Sequence, residues 1–77
     1  MSEWNQCWYC GRPVRRNIDY DGTATIDEVV PRCRGGGKMV TACKKCNNLK
    51  GESLLEEYRE YLGIERFYGE EMGWDPW

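Results

Sequence analysis

Two cysteine pairs, Cys7-x-x-Cys10 and Cys43-x-x-Cys46, stand thirty-two residues apart in a chain of only 77. A two-residue gap lets both thiolates of a pair face one ion, and two pairs complete a tetrahedron. Four sulfur ligands suit Zn²⁺, which has no geometric preference of its own. An iron–sulfur centre would use the same ligands, and two disulfides are the remaining alternative. Four thiolates close the coordination shell, so such an ion is structural rather than catalytic. The chain needs it. A single domain spanning residues 1–77 is expected, and a core of this size rarely supplies more than ~3–5 kcal/mol. Ion binding then contributes much of the folding free energy. The fifth cysteine, Cys33, lies between Arg32 and Arg34 and is expected to be a free thiol, with the flanking arginines a route to a lowered pKa.

The first residues, Met1-Ser2-Glu3-Trp4-Asn5, have neither the basic nor the apolar stretch of a secretory signal. No apolar run approaches the ~20 residues that cross a bilayer. A reducing, cytoplasmic setting without a membrane partner is the expectation, and a bacterial or phage source is compatible with it. The net charge of −2 conceals an asymmetry. Residues 12–50 hold nine basic side chains against four acidic ones, a net of +5, and the rest of the chain carries −7. That split fits a body facing nucleic acid with an acidic appendage, or simply two solvated surfaces of opposite sign.

Local signals divide the chain further. Pro13 to Tyr20 reads as a strand, Asp21-Gly22 as a tight hairpin turn, and Thr23 to Val30 as the return strand. Alternation in the return strand puts Thr25, Asp27 and Val29 on one face. Arg32 to Lys38, with Gly35-Gly36-Gly37, must be a loop, and Met39-Val40-Thr41 is a short apolar approach to the second cysteine pair. Ser53-Leu54-Leu55-Glu56 has the form of a capping box, opening a helix over 53–63 with Leu54, Leu55, Tyr58, Tyr61 and Leu62 as its apolar stripe and Gly63 at its end. The acidic, aromatic tail, 64–77, has two readings. Its tryptophans cover the core, or they anchor a protein partner. Trp4, Trp8 and Tyr9 likewise either cover the metal knuckle or stack on bases.

One stretch is more specific. Asp27-Glu28-Val29-Val30-Pro31-Arg32 leads through the glycine run to Cys43-Lys44-Lys45-Cys46-Asn47-Asn48-Leu49-Lys50-Gly51. From Cys7 to Gly51 the chain resembles the zinc-containing HNH endonucleases. Their pattern is a first CxxC, then Asp-His-Val-Ile-Pro-Arg with glycines, then CxxCN-x-x-Lys-Gly. The resemblance implies a small α+β fold, a zinc-stapled treble-clef-like ββα domain over 7–51 with an added C-terminal helix. It further implies that Asp27 and Asn47 hold a catalytic Mg²⁺ or Mn²⁺, with Cys7, Cys10, Cys43 and Cys46 on the structural zinc. Arg32, Arg34, Lys38 and Lys50 would hold the phosphates of a nucleic acid, most simply DNA.

The chain departs from that pattern where the chemistry lies. Glu28 stands in place of the general-base histidine, and the chain contains no histidine. A carboxylate is a weaker base than imidazole by about two pKa units. Lys38 stands about where the family has the Asn that braces its histidine loop. Three readings follow: a divergent or weakened endonuclease in which Glu28 serves as base or ligand, an inactive scaffold that binds nucleic acid or a protein partner, or a nuclease whose histidine was replaced deliberately to inactivate it.

Overall fold

A computed structural model describes residues 5–16 and 22–77. Its regular elements are strand β1 (Ala24–Glu28), strand β2 (Met39–Cys43), and helices α1 (Lys44–Lys50), α2 (Leu55–Leu62) and α3 (Tyr68–Glu71). This is a small α+β fold around one two-stranded antiparallel sheet.

The sheet is not the hairpin that the Asp-Gly signal suggests. β1 pairs with β2, in the register Ala24 opposite Cys43, Ile26 opposite Thr41 and Glu28 opposite Met39. The segment read as a mere approach to the cysteines is therefore the partner strand. Among the described residues, Pro13 and Arg15 make isolated bridges, to Gln6 and Thr23, and the second of these is parallel. A parallel bridge is incompatible with a tight antiparallel turn between the two segments. Residues 17–21, including Asp21, lie outside the described residues, as does Trp4. Burial explains the choice of partner. Val40, Thr41, Ala42 and Cys43 are all buried, so β2 needs cover on both faces and along both edges. β1 pairs one edge, while the Trp8 N–H donates to Thr41 O at 2.8 Å and Trp77 exchanges backbone hydrogen bonds with Met39 on the other.

The connection between the strands is the expected loop. Arg34 N–H and Gly36 N–H both reach Pro31 O, and Val29 N–H closes the loop onto Lys38 O at 2.9 Å. Gly35, Gly36 and Gly37 all have positive φ, which explains a run of three glycines here.

Helix α2 starts one residue later than its sequence signal. Leu54, not Ser53, is the N-cap, and its N–H donates to Glu57 Oε1 at 2.8 Å. Ser53 N–H is already engaged by Lys50 O at the end of α1. Gly63 takes the left-handed C-cap conformation, φ 71°, and bonds back to Arg59 O and Glu60 O. Of the expected stripe, Tyr58 is fully buried and Leu54, Leu55 and Leu62 half-buried, but Tyr61 is 67% exposed. Its ring stacks on Tyr58 with the other face in water.

The acidic tail belongs to the fold. Phe67 is fully buried, Tyr68 N–H donates to Tyr9 O and Gly69 N–H to Trp8 O at 2.7 Å. The Trp8 indole Nε1–H donates to Trp74 O at 2.6 Å. Trp8, Tyr9, Tyr58 and Phe67 form one aromatic cluster, with Tyr9 meeting Phe67 and Tyr58 edge-on at centroid distances of 5.1 and 5.4 Å. Among the described residues, no helix is long and apolar enough to cross a membrane.

Candidate metal centre and the Asp27 cluster

The aromatic cluster and the sheet together bring the two cysteine pairs to one point. Cys7 and Cys10 sit on the N-terminal knuckle, closed by Gly11 N–H donating to Cys7 O at 2.9 Å. Cys43 ends β2 and serves as N-cap of α1, and Cys46 lies in that helix's first turn. Each knuckle turns a backbone N–H onto its own first sulfur, Cys10 N to Cys7 Sγ at 3.5 Å and Cys46 N to Cys43 Sγ at 3.3 Å. Such donors favour thiolates.

The sulfur positions fit a tetrahedral ion. All four Sγ atoms lie within 4.8 Å of one another, and Cys10 Sγ and Cys43 Sγ are 3.8 Å apart. Zinc–sulfur bonds of ~2.3 Å require sulfurs about 3.8 Å apart. All the cysteines carry free thiols, so the disulfide alternative is not the one adopted. The four can hold a metal ion such as zinc.

Without an ion the cluster shares protons unevenly. Cys10 is held well below the usual thiol range, first because the Cys46 and Cys7 thiols donate to it. Cys7 and Cys46 are pushed up because each is a donor to Cys10, with burial adding to both. Several closely packed thiols cannot all ionise without a cation to offset their charge. Helix α2 closes the far side. The Tyr58 hydroxyl is buried against the cluster, and burial first, then its approach to the Cys46 sulfur, keeps it protonated.

Of the residues expected to carry catalysis, Asp27 lies on the inward face of β1, in a second cluster with Tyr9 and Lys50. Asp27 is buried, as alternation places it, with Thr25 half-buried beside it and Ile26 outward and half exposed. Tyr9, between the knuckle cysteines, donates its hydroxyl to Asp27 Oδ2 at 2.5 Å. Burial first, then the Asp27 charge, holds that phenol protonated far above its ordinary range. Lys50 Nζ stands 3.1 Å from the same oxygen and donates to the Glu28 carbonyl at 2.9 Å. The Lys50 side chain is wholly buried. This corrects its expected place: Lys50 lies inside the domain, not on a phosphate-facing surface.

Asn47 is on α1, whose N-cap is Cys43, and its amide nitrogen donates to Thr25 Oγ1 at 3.1 Å, while that hydroxyl donates on to Ala42 O. Glu28 ends β1, half-buried. Arg32 begins a single turn of 3₁₀ helix over Arg32–Arg34. Arg34 is exposed and meets Glu57 at 3.4 Å, and Lys38 is exposed at the mouth of the loop. Cys33 is exposed but not activated. Its thiol donates to Glu52 Oε2 at 2.9 Å, and that hydrogen bond raises its pKa, outweighing Arg34.

Sequence reasoning missed the inward roles of Lys50 and Tyr9. The signal for Lys50 was present. Cys43, Cys46, Asn47 and Lys50 fall at i, i+3, i+4 and i+7, the spacing of one helix face, and two of those residues had to face the metal. No protein-family model, no curated protein and no solved structure matches this chain.

Proposed function

We propose that this chain is a structural-zinc module of the HNH type that binds nucleic acid and has lost efficient phosphodiester hydrolysis. The observation that carries the reading is the order β1–β2–α1, with a cysteine of the metal cluster at the strand–helix junction. Asp27 on β1 and Asn47 on α1 then lie on adjoining elements, which supports the reading. Composition supports the loss of hydrolysis. Water attacking a phosphodiester must give up a proton, and a chain with no histidine lacks the side chain best matched to take it at neutral pH.

The binding surface in this reading is the loop between the strands and its surroundings. Arg34 and Lys38 are exposed there, and an added Cβ at Gly35 would meet nothing within 4 Å, so a phosphate backbone can approach closely. Arg15 and Lys45 are further exposed cations of the basic segment. Four thiolates and one Zn²⁺ together add −2 beside the segment's net charge of +5, which makes binding modest and strongly salt-dependent. The tail is the weaker candidate for partner binding, because its backbone and aromatic rings are already engaged with Trp8, Tyr9 and Met39.

The test pairs binding with cleavage on the zinc-loaded chain. Affinity for duplex DNA is expected to fall with a log–log salt slope of roughly −2 to −4, for about three to four phosphate contacts, and to weaken in Arg34→Ala/Lys38→Ala. Affinity that ignores salt and survives the double change would instead indicate a protein partner. Plasmid incubated with Mg²⁺ or Mn²⁺ is expected to remain intact. Cleavage that Asp27→Ala abolishes would establish an active nuclease.

A further inference from the structure

The family resemblance implies a divalent cation at Asp27, and the residues there do not fit one. We infer that the Lys50 ammonium is the resident cation of this centre, occupying on Asp27 the place a divalent ion would take. The inference rests on the HNH-type reading for what the site descends from, but its geometry stands by itself.

Oδ2 of Asp27 accepts from Tyr9 at 2.5 Å and faces Lys50 Nζ at 3.1 Å. Two donors use both lone pairs of that oxygen. The ammonium's second partner, the Glu28 carbonyl at 2.9 Å, is the kind of oxygen a hard cation would recruit from the same strand. Lys50 also lies over the Tyr9 ring, 5.9 Å from its centroid, so a third side of the charge is covered by an aromatic face. The lysine thus takes one carboxylate oxygen of Asp27 and the Glu28 carbonyl, two of the oxygens a divalent ion would draw on.

The charge balance points the same way. Asp27 and Lys50 cancel inside the domain, and an entering Mn²⁺ would meet a neutral pair with an ammonium about 3 Å from its would-be ligand. Like charges so close, in a protein's interior, repel strongly enough to remove many powers of ten in affinity. Asn47 offers only the neutral oxygen of its amide, since the nitrogen is held by Thr25 Oγ1, and a neutral ligand does not offset the ammonium's charge. The arrangement is also built in by local structure: α1 spacing places Lys50 one turn beyond Cys46, on the helix's buried face. A covalently attached cation needs no metal supply, keeps the ββα core neutral, and leaves no metal-bound water to attack a phosphate.

The experiment uses the zinc-loaded full chain and Mn²⁺ itself as the probe, read by electron paramagnetic resonance without nucleic acid. Wild type is expected to show no saturable Mn²⁺ site below about millimolar, and Lys50→Met to gain one site at least ~10²-fold tighter. The double variant Lys50→Met/Asp27→Asn is expected to lose it. Wild type that binds one Mn²⁺ tightly, and ceases to in Asp27→Asn, overturns the inference, as does a folded Lys50→Met that gains nothing. A second measurement covers the case in which Lys50→Met does not fold. In wild type the Lys50 ammonium is expected to give a slowly exchanging ¹⁵N–¹H signal that Mn²⁺ leaves sharp, and selective broadening of it overturns the inference. Failure of nucleic-acid binding would count against the proposed function alone, since no nucleic acid enters these assays.

Discussion

Replacing Gly69 with alanine isolates the contact that seats the tail on the zinc knuckle. Gly69 lies in α3, where an ideal Cβ would stand 2.0 Å from Trp8 Cδ1, 2.1 Å from Nε1 and 2.4 Å from Cγ. Non-bonded carbons prefer ~3.5–4.0 Å, so the indole would have to withdraw by about 1.5 Å. It has nowhere to go. Trp8 is 3% exposed, backed by the Tyr9 and Phe67 rings at 5.5 Å each, and held by its hydrogen bond to Trp74 O. Overpacking costs ~1–3 kcal/mol, and a buried donor left without its acceptor a further ~1–3 kcal/mol. The expected loss is roughly 2–6 kcal/mol, comparable with all that a core of this size supplies. Helix propensity alone predicts the opposite sign, because alanine is better than glycine in a helix by ~1 kcal/mol. Urea unfolding of the zinc-loaded protein, followed by tryptophan fluorescence and far-ultraviolet circular dichroism, reads the difference. Met72→Ala, at a half-exposed position on the same segment, serves as the control and is expected within ~0.5 kcal/mol of wild type. A Gly69→Ala protein as stable as wild type, or more so, would refute the packing of Trp8 on α3.

The metal centre predicts one Zn²⁺ per chain by elemental analysis and loss of the circular-dichroism signal on chelation, and a chelated protein with an unchanged spectrum would refute its role as the main staple. Because Cys7 and Cys46 must release protons to bind, zinc affinity is expected to weaken as pH falls, which competition with a chromogenic chelator checks. Cys33, the one cysteine outside the cluster, is expected to react with iodoacetamide more slowly than a free thiol at neutral pH. Its hydrogen bond to Glu52 reduces the thiolate fraction, so Glu52→Gln is expected to accelerate alkylation, as mass spectrometry would show.

The sequence alone determined the parts of this protein that depend on short-range chemistry. Cys-x-x-Cys spacing produces knuckles wherever the two pairs meet an ion, so Cys7, Cys10, Cys43 and Cys46 were legible as one centre before any fold was known. The glycine run as a loop, Gly63 as a helix end and Asp27 on the Thr25–Val29 face are equally local, since each follows from backbone sterics or strand alternation. Tertiary structure decided the rest. Asp21-Gly22 is a good turn signal, yet β1 took β2 as partner, because Val40 to Cys43 had to be buried on both faces and the cysteines drawn together. Ser53 is a better capping residue than Leu54, but its N–H was already engaged by α1. The resemblance put Lys50 among the phosphate ligands, and only the packing of α1 against β1 beside Tyr9 turned it inward. A charge goes inside when an opposite charge and a carbonyl are already waiting there, and which residues wait is settled by contacts between segments far apart in the chain.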